Sequence, residues 1–217
     1  MYASPHRTIF LLCGSVFSQV CPKIRLATER DAEAIASIYT PIVEQTHISF
    51  ETSPPTIGEM AQRIRTTVER LPWLVCEHDG QITGYAYAST HNERPAYRWA
   101  VDVSVYVNEA WRRKGIASAL YESLFALLDR QGLCNAYAVI ALPNPQSVTF
   151  HESRGFEKVG VYRNVGYKNG KWRDVGHWEL PLQSLATPPS PPTPLEELQN
   201  TDRYSGALLT GESSLQL

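Results

Sequence analysis

Between Ile24 and Gln183 the hydrophobic period switches repeatedly between about 3.6 and about 2 residues, and few folds accommodate that alternation. Thr28 with Asp31 forms an acidic variant of the capping box, after which Ile35, Ile38, Tyr39 and Ile42 recur at helical spacing. Thr56 with Glu59 opens a second helix, whose Met60, Ile64, Val68 and Leu71 share a face. Then the period shortens. Trp73–Glu77 and Gln81–Ala88 read as strands around His78-Asp79-Gly80, where the Asp-Gly pair signals a hairpin. Trp99–Val107 is a third strand, rich in Val and Tyr. Ile116, Leu120, Leu124, Leu127 and Leu128 line one face of a helix, with Gly132 at its C-terminal cap. Ala136–Leu142 reads as a strand and Gln146–Arg154 as a short helix closed by Gly155. Phe156–Asn164 and Lys171–Leu182 follow as strands joined through Asn169-Gly170. The order β-α-α-β-β-β-α-β-α-β-β, without an internal repeat, predicts an α/β (α+β) domain with a mixed sheet.

With 217 residues, of which 43% are hydrophobic, the chain can build one core of ordinary size with ends to spare. A formal net charge of -2 removes the basic footprint of a general nucleic-acid binder. No run approaches the roughly 18 apolar residues of a membrane span, so a cytoplasmic protein is expected. Cys13, Cys21, Cys76 and Cys134 show neither CxxC spacing nor a His/Cys cluster, so no metal is expected; Cys76 and Cys134 read as small buried hydrophobes. His6 and Arg7 precede the apolar run Ile9–Phe17, which loosely resembles a signal-peptide core. The basic segment is thin and Ser18-Gln19-Val20 makes a poor cleavage site, so residues 1–23 read as an extension ahead of the domain, with a targeting segment as the alternative. Thr187–Pro194 reads Thr-Pro-Pro-Ser-Pro-Pro-Thr-Pro, a composition that favours polyproline II. Residues 184–217 are therefore expected to form a disordered tail, the sharper alternative being a Pro-rich ligand for a partner domain. That leaves residues 24–183 as the domain.

The most informative stretch runs from Val105 to Ala117, where a strand passes through a turn straight into a helix N-terminus. Arg112, Gly115 and Ala117 fit the pattern Arg/Gln-x-x-Gly-x-Gly/Ala. Small residues allow close approach of backbone to ligand, and the free N–H groups of a first helical turn suit a pyrophosphate. Arg113 and Lys114 add positive charge there. The stretch is neither a Walker A loop nor a full GxGxxG fingerprint, and alone it is equally compatible with a plain turn beside solvated basic residues.

Together with Asn144-Pro145-Gln146-Ser147 and His151-Glu152-Ser153-Arg154-Gly155-Phe156, this stretch resembles the GNAT family of acetyl-CoA-dependent N-acetyltransferases. Ala96-Tyr97-Arg98-Trp99, Asp102–Val107, Ala138–Asn144 and Gly166–Gly176 resemble its phosphinothricin and methionine sulfoximine acetyltransferase branch. The resemblance runs from about Ile24 to Gln183. It implies a mostly antiparallel mixed sheet flanked by helices, with a splayed parallel strand pair, Asp102–Val107 and Ala136–Leu142, that receives acetyl-CoA. Backbone groups of Val105, Tyr106 and Val107 would meet the pantetheine arm. The segment Arg112, Arg113, Lys114, Gly115, Ile116, Ala117 and Ser118 would hold the pyrophosphate. Asn144 would bond near the thiol end, a role compatible with capping the helix that follows.

Direct acetyl transfer in a ternary complex requires the incoming ammonium to lose a proton and the leaving thiolate to gain one. Asp102 stands where the branch usually has a glutamate general base and is one methylene shorter, so it reaches the amine through a water or carries a weakened role. His151 stands where the branch has a histidine near the sulfur, the position of a tyrosine acid in many relatives. The resemblance sets Phe50, Tyr97, Arg98 and Trp99 near the acceptor, while Trp172, Trp178 and His177 read as packing residues. A small-molecule amine of amino-acid type is the expected partner, and a homodimer is implied by the resemblance. Two alternatives stay open: a CoA-binding sensor or interaction module, and transfer to another amine such as a polyamine or a protein N-terminus.

Overall fold

The computed structural model describes residues 22–215. Almost all of the extension expected over residues 1–23, with Cys13 and Cys21, lies outside the described residues. The elements are β1 (Lys23–Leu26), α1 (Ala32–Gln45), α2 (Ile57–Val68), β2 (Trp73–His78), β3 (Gln81–Thr90), β4 (Ala100–Val107), α3 (Ile116–Gln131), β5 (Asn135–Leu142), α4 (Pro145–Ser153), β6 (Glu157–Lys168), β7 (Lys171–Pro181), α5 (Leu195–Gln199) and α6 (Asp202–Glu212). Both hairpin signals hold. Asp79-Gly80 and Asn169-Gly170 take paired positive φ values (49° and 73°; 53° and 73°), the left-handed backbone that a two-residue β-turn requires.

Seven strands form one sheet in the order β1-β2-β3-β4-β5-β7-β6, antiparallel except for β4 against β5. Strand alternation sorts its side chains into two layers. Ala86, Ala88, Val101, Val103, Ala136, Ala138 and Ile140 face one core with Leu120, Leu124, Leu127 and Leu128 of α3. Trp73, Val75 and Tyr85 face the other core with Ile35, Ile38 and Tyr39 of α1 and Met60 and Ile64 of α2. Cys76 is buried within β2, and Cys134 is buried immediately before β5 rather than inside it. Trp178 is buried as expected; Trp172 is 62% exposed on the β6–β7 hairpin beside Tyr167, so its assignment to packing is corrected. No helix among the described residues is long and apolar enough to cross a membrane.

The disordered tail is also corrected. After the proline run, α5 and α6 lie against α3 and fully bury Leu195 and Ala207, with Leu198 nearly so. Polar contacts fix the path. Gln131 Nε2 donates to Thr193 O, Ser123 Oγ donates to Leu208 O and accepts from Gly211 N, and Ile24 N of β1 donates to Glu212 Oε1. Gly211 passes so close to Ala119 that a Cβ there would meet its carbonyl.

Candidate active site

The pairing of β4 with β5 stops early. It covers Ala100↔Asn135, Val101↔Ala136 and Asp102↔Tyr137. Beyond that point β4 stays bonded to β3 as far as Val107↔Gly84, and β5 to β7 as far as Leu142↔Asp174. The inner edges of the two strands therefore diverge, and their backbone N–H and C=O groups face a fork instead of a partner strand. Val103, Val105, Ala138, Ile140 and Asn144 line its cleft. An extended, amide-bearing arm can bond to such an edge as an added strand.

At the wide end β4 turns into α3. Asn108 Oδ1 accepts from Ala110 N at 3.0 Å and starts the turn. Arg113 (φ 63°) and Gly115 (φ 81°) both take left-handed backbone conformations, and a Cβ at Gly115 would meet nothing, so the space before the helix is open. The first N–H groups of α3, from Ile116 to Ser118, have no intrahelical acceptor and sit at the positive end of its dipole. Lys114 Nζ lies 4.2 Å from the Trp111 ring centroid, Arg112 pairs with Glu109 at 3.7 Å, and Arg154 bonds to Ser118 Oγ. Amides, open space and cations at one helix start suit a pyrophosphate.

On the α3 side of the fork, His151 of α4 is only 6% exposed. Its Nδ1 donates to Ser147 O at 2.8 Å, which leaves Nε2 to accept from Tyr121 Oη of α3 at 3.0 Å. Burial holds the His151 imidazole below the usual histidine range and pushes the Tyr121 phenol far above its ordinary value. The pair is therefore neutral, with the phenol proton held between Tyr121 Oη and His151 Nε2, and both residues line the cleft. Asn144 caps α4, its Oδ1 accepting from Ser147 N at 3.2 Å, and lines the same cleft.

On the other face, at the last bonded pair of the fork, stands Asp102. Its Oδ1 accepts from His91 Nδ1 at 2.8 Å, and the His91 ring stacks on Tyr137 at 4.5 Å. Burial raises the Asp102 carboxyl and His91 opposes that rise. Phe50 lies in the loop after α1, half exposed against Gly166, where a Cβ would strike its ring. Lys168 holds this loop. Its buried Nζ donates to the carbonyls of Val43, Ser49 and Glu51, each at 2.7 Å. Glu51 takes a bidentate pair from Arg63 at 2.8 and 3.0 Å and accepts from Tyr39 Oη at 2.9 Å.

The structure divides the three residues expected beside Phe50. Tyr97 lies 6.1 Å, ring to ring, from His91. Arg98 bonds to Pro95 O of its own turn, stacks over Trp99 and lines a separate cavity with Arg70, Arg94 and Pro191–Pro194. Trp99 donates its indole N–H to Ser190 O at 2.7 Å and so meets the tail rather than the fork. Sequence reading missed His91, Tyr121 and Lys168. The first sits in a polar loop and the other two carry no periodic signal beyond ordinary helix and strand patterning.

The family profile described as Acetyltransferase (GNAT) domain matches residues 24–177. The chain belongs to the GNAT acetyltransferase family. This GNAT chain is 38% identical over 176 residues to a phosphinothricin N-acetyltransferase of Streptomyces viridochromogenes, covering 81% of this chain and 96% of the relative. It is 31% identical over 169 residues to an L-methionine sulfoximine/L-methionine sulfone acetyltransferase of Salmonella typhimurium, covering 76% and 97%. A solved GNAT phosphinothricin acetyltransferase from Sinorhizobium meliloti, in complex with AcCoA, superposes with a TM-score of 0.74 at 32% identity, covering 81% and 98%. The expected mixed sheet with one parallel pair and the expected N-acetyltransferase class both stand.

Proposed function

We propose that this N-acetyltransferase moves the acetyl group of acetyl-CoA directly to the α-amine of a small amino-acid-like substrate of phosphinothricin, methionine sulfoximine or methionine sulfone type. The observation that carries the reading is the fork between β4 and β5, with a titratable pair on each face at the point where a thioester would lie. The relatives supply the substrate class, since two of them are named for these compounds.

Acetyl-CoA brings an activated acyl carbon on a thioester. The inner edges of β4 and β5, Val105–Val107 above all, bind its arm, and the segment Arg112–Ser118 binds the pyrophosphate through amides and charge. Asn144 lies at the thiol end. The acceptor enters from the side of Phe50 and Tyr97, against the wall that Lys168 fixes. Asp102 serves the proton-accepting side and His151 with Tyr121 the proton-donating side. As the C–N bond forms and the C–S bond breaks, one proton leaves the amine and one reaches the sulfur.

Thiol release from acetyl-CoA, followed with a thiol-reactive dye against phosphinothricin, methionine sulfoximine, methionine sulfone, spermidine and an N-terminal peptide, tests the reading. Turnover on the amino-acid analogues supports it. Turnover confined to spermidine or peptide overturns the substrate class. Silence on every amine, with acetyl-CoA still raising thermal stability, overturns the transfer activity.

A further inference from the structure

One oxygen of the Asp102 carboxylate is already engaged by a neighbouring imidazole. Oδ1 accepts from His91 Nδ1 at 2.8 Å, so the imidazole carries its proton on Nδ1 and presents Nε2 as a lone pair. Nε2 has no protein partner among the described residues, whereas the other ring nitrogen is fixed. The ring is held in place twice more, by stacking on Tyr137 at 4.5 Å and by Tyr97 at 6.1 Å. It also remains reachable, with the side chains of His91 and Asp102 29% and 31% exposed. The site coincides with the end of strand pairing, since Asp102↔Tyr137 is the last bonded pair before the fork opens.

We propose that His91 is the group that takes the proton from the acceptor amine, with Asp102 as its positioning residue. An imidazole reaches well beyond an aspartate, so the dyad restores the length lost when aspartate stands in place of glutamate. The acceptor ammonium passes one proton to Nε2, and the freed nitrogen lone pair forms the C–N bond. The C–S bond breaks with its electrons on sulfur, and the nitrogen sheds its second proton to solvent as the amide forms. The sulfur takes a proton from the Tyr121 side or from solvent, and the imidazolium returns its own to solvent. Asp102 stabilises the imidazolium while it exists, as the carboxylate of a hydrolytic triad does. The proposal rests on the acetyl-transfer reading above.

The test uses the full chain with acetyl-CoA and the acceptor that the parent turns over best. His91→Ala should lower kcat by about 10²–10⁴-fold, the range of a positioned base, while acetyl-CoA binding by calorimetry stays unchanged. Added imidazole should restore His91→Ala in proportion to its concentration, which a merely structural role would not allow. His91→Gln keeps a donor to Asp102 and should be equally slow, covering the case in which the alanine variant folds poorly. Asp102→Asn should lower kcat without imidazole rescue, because the ring remains but loses its tautomer. A His91→Ala enzyme within about threefold of the parent, or a loss that imidazole leaves untouched while formate rescues Asp102→Ala, overturns the assignment and returns the base role to Asp102. A parent silent on every amine overturns the transfer reading and this proposal together.

Discussion

His151 and His91 are both anchored through Nδ1, but by opposite partners in opposite settings. His151 donates to a neutral carbonyl, Ser147 O, and receives the Tyr121 hydroxyl on Nε2 inside the core beneath α3. His91 donates to a carboxylate on the half-exposed face and leaves Nε2 free of protein partners among the described residues. The first arrangement stabilises a neutral ring whose Nε2 is already occupied by the Tyr121 hydroxyl. The second fixes the ring through the carboxylate on Nδ1 and leaves Nε2 open. In the proposed reaction one residue type thus serves two ends through burial and the charge of its partner, not through its own chemistry.

Stability should separate the two most strongly. His151→Ala leaves a buried phenol without its acceptor and opens a cavity, which should cost about 2–4 kcal/mol. His91→Ala removes a partly exposed pair and should cost about 1 kcal/mol or less. Urea midpoints of the two variants check this, and equal losses would break the contrast between a packed and an open histidine.

A smaller effect sharpens the donor side. Tyr121→Phe deletes one hydroxyl and keeps the ring, so kcat should fall about tenfold or more with acetyl-CoA affinity intact. An unchanged kcat would leave His151 and Tyr121 as packing alone.

The smallest effect is in pH. An unfolded histidine takes its proton near pH 6.5, whereas the buried His151 resists it, so below that pH the unfolded state binds the extra proton. The stability His151 contributes is therefore complete above about pH 6.5 and is lost as pH falls from there through the lower folded value. Thermal midpoints scanned from about pH 7.5 to 5 should fall more steeply for the parent than for His151→Gln. Parallel curves would assign the acid limb to other groups.

How much of this was legible in the sequence depends on what each signal is made of. Helices α1 to α4 and strands β2 to β7 announce themselves through periodicity and caps, which are local, and the Thr56–Glu59 capping box forms as read. The turn before α3 was legible because Gly115 answers a backbone requirement at one position. The His91–Asp102 pair was not. It joins a polar loop residue to a strand residue through the β3–β4 register, which no spacing rule encodes. Lys168 was hidden for the same reason, since its three acceptors lie more than a hundred positions earlier. Helices α5 and α6 escaped because short, weakly apolar segments owe their helicity to the surface they cover.

That last contact has a wider consequence. β1 is an outer strand of the sheet, with β2 on one side only, and α6 reaches it through Glu212 on the amide of Ile24. An uncovered outer strand is a template for pairing between molecules, and a helix laid across it removes the template. The C-terminal segment is thus expected to act on colloidal behaviour more than on chemistry. A chain cut after Leu182 keeps the fork, Asp102 and His151, yet bares both the apolar flank of α3 and the rim of β1. Such a chain is expected to retain its chemistry per folded molecule while self-associating at concentrations where the intact protein stays dispersed.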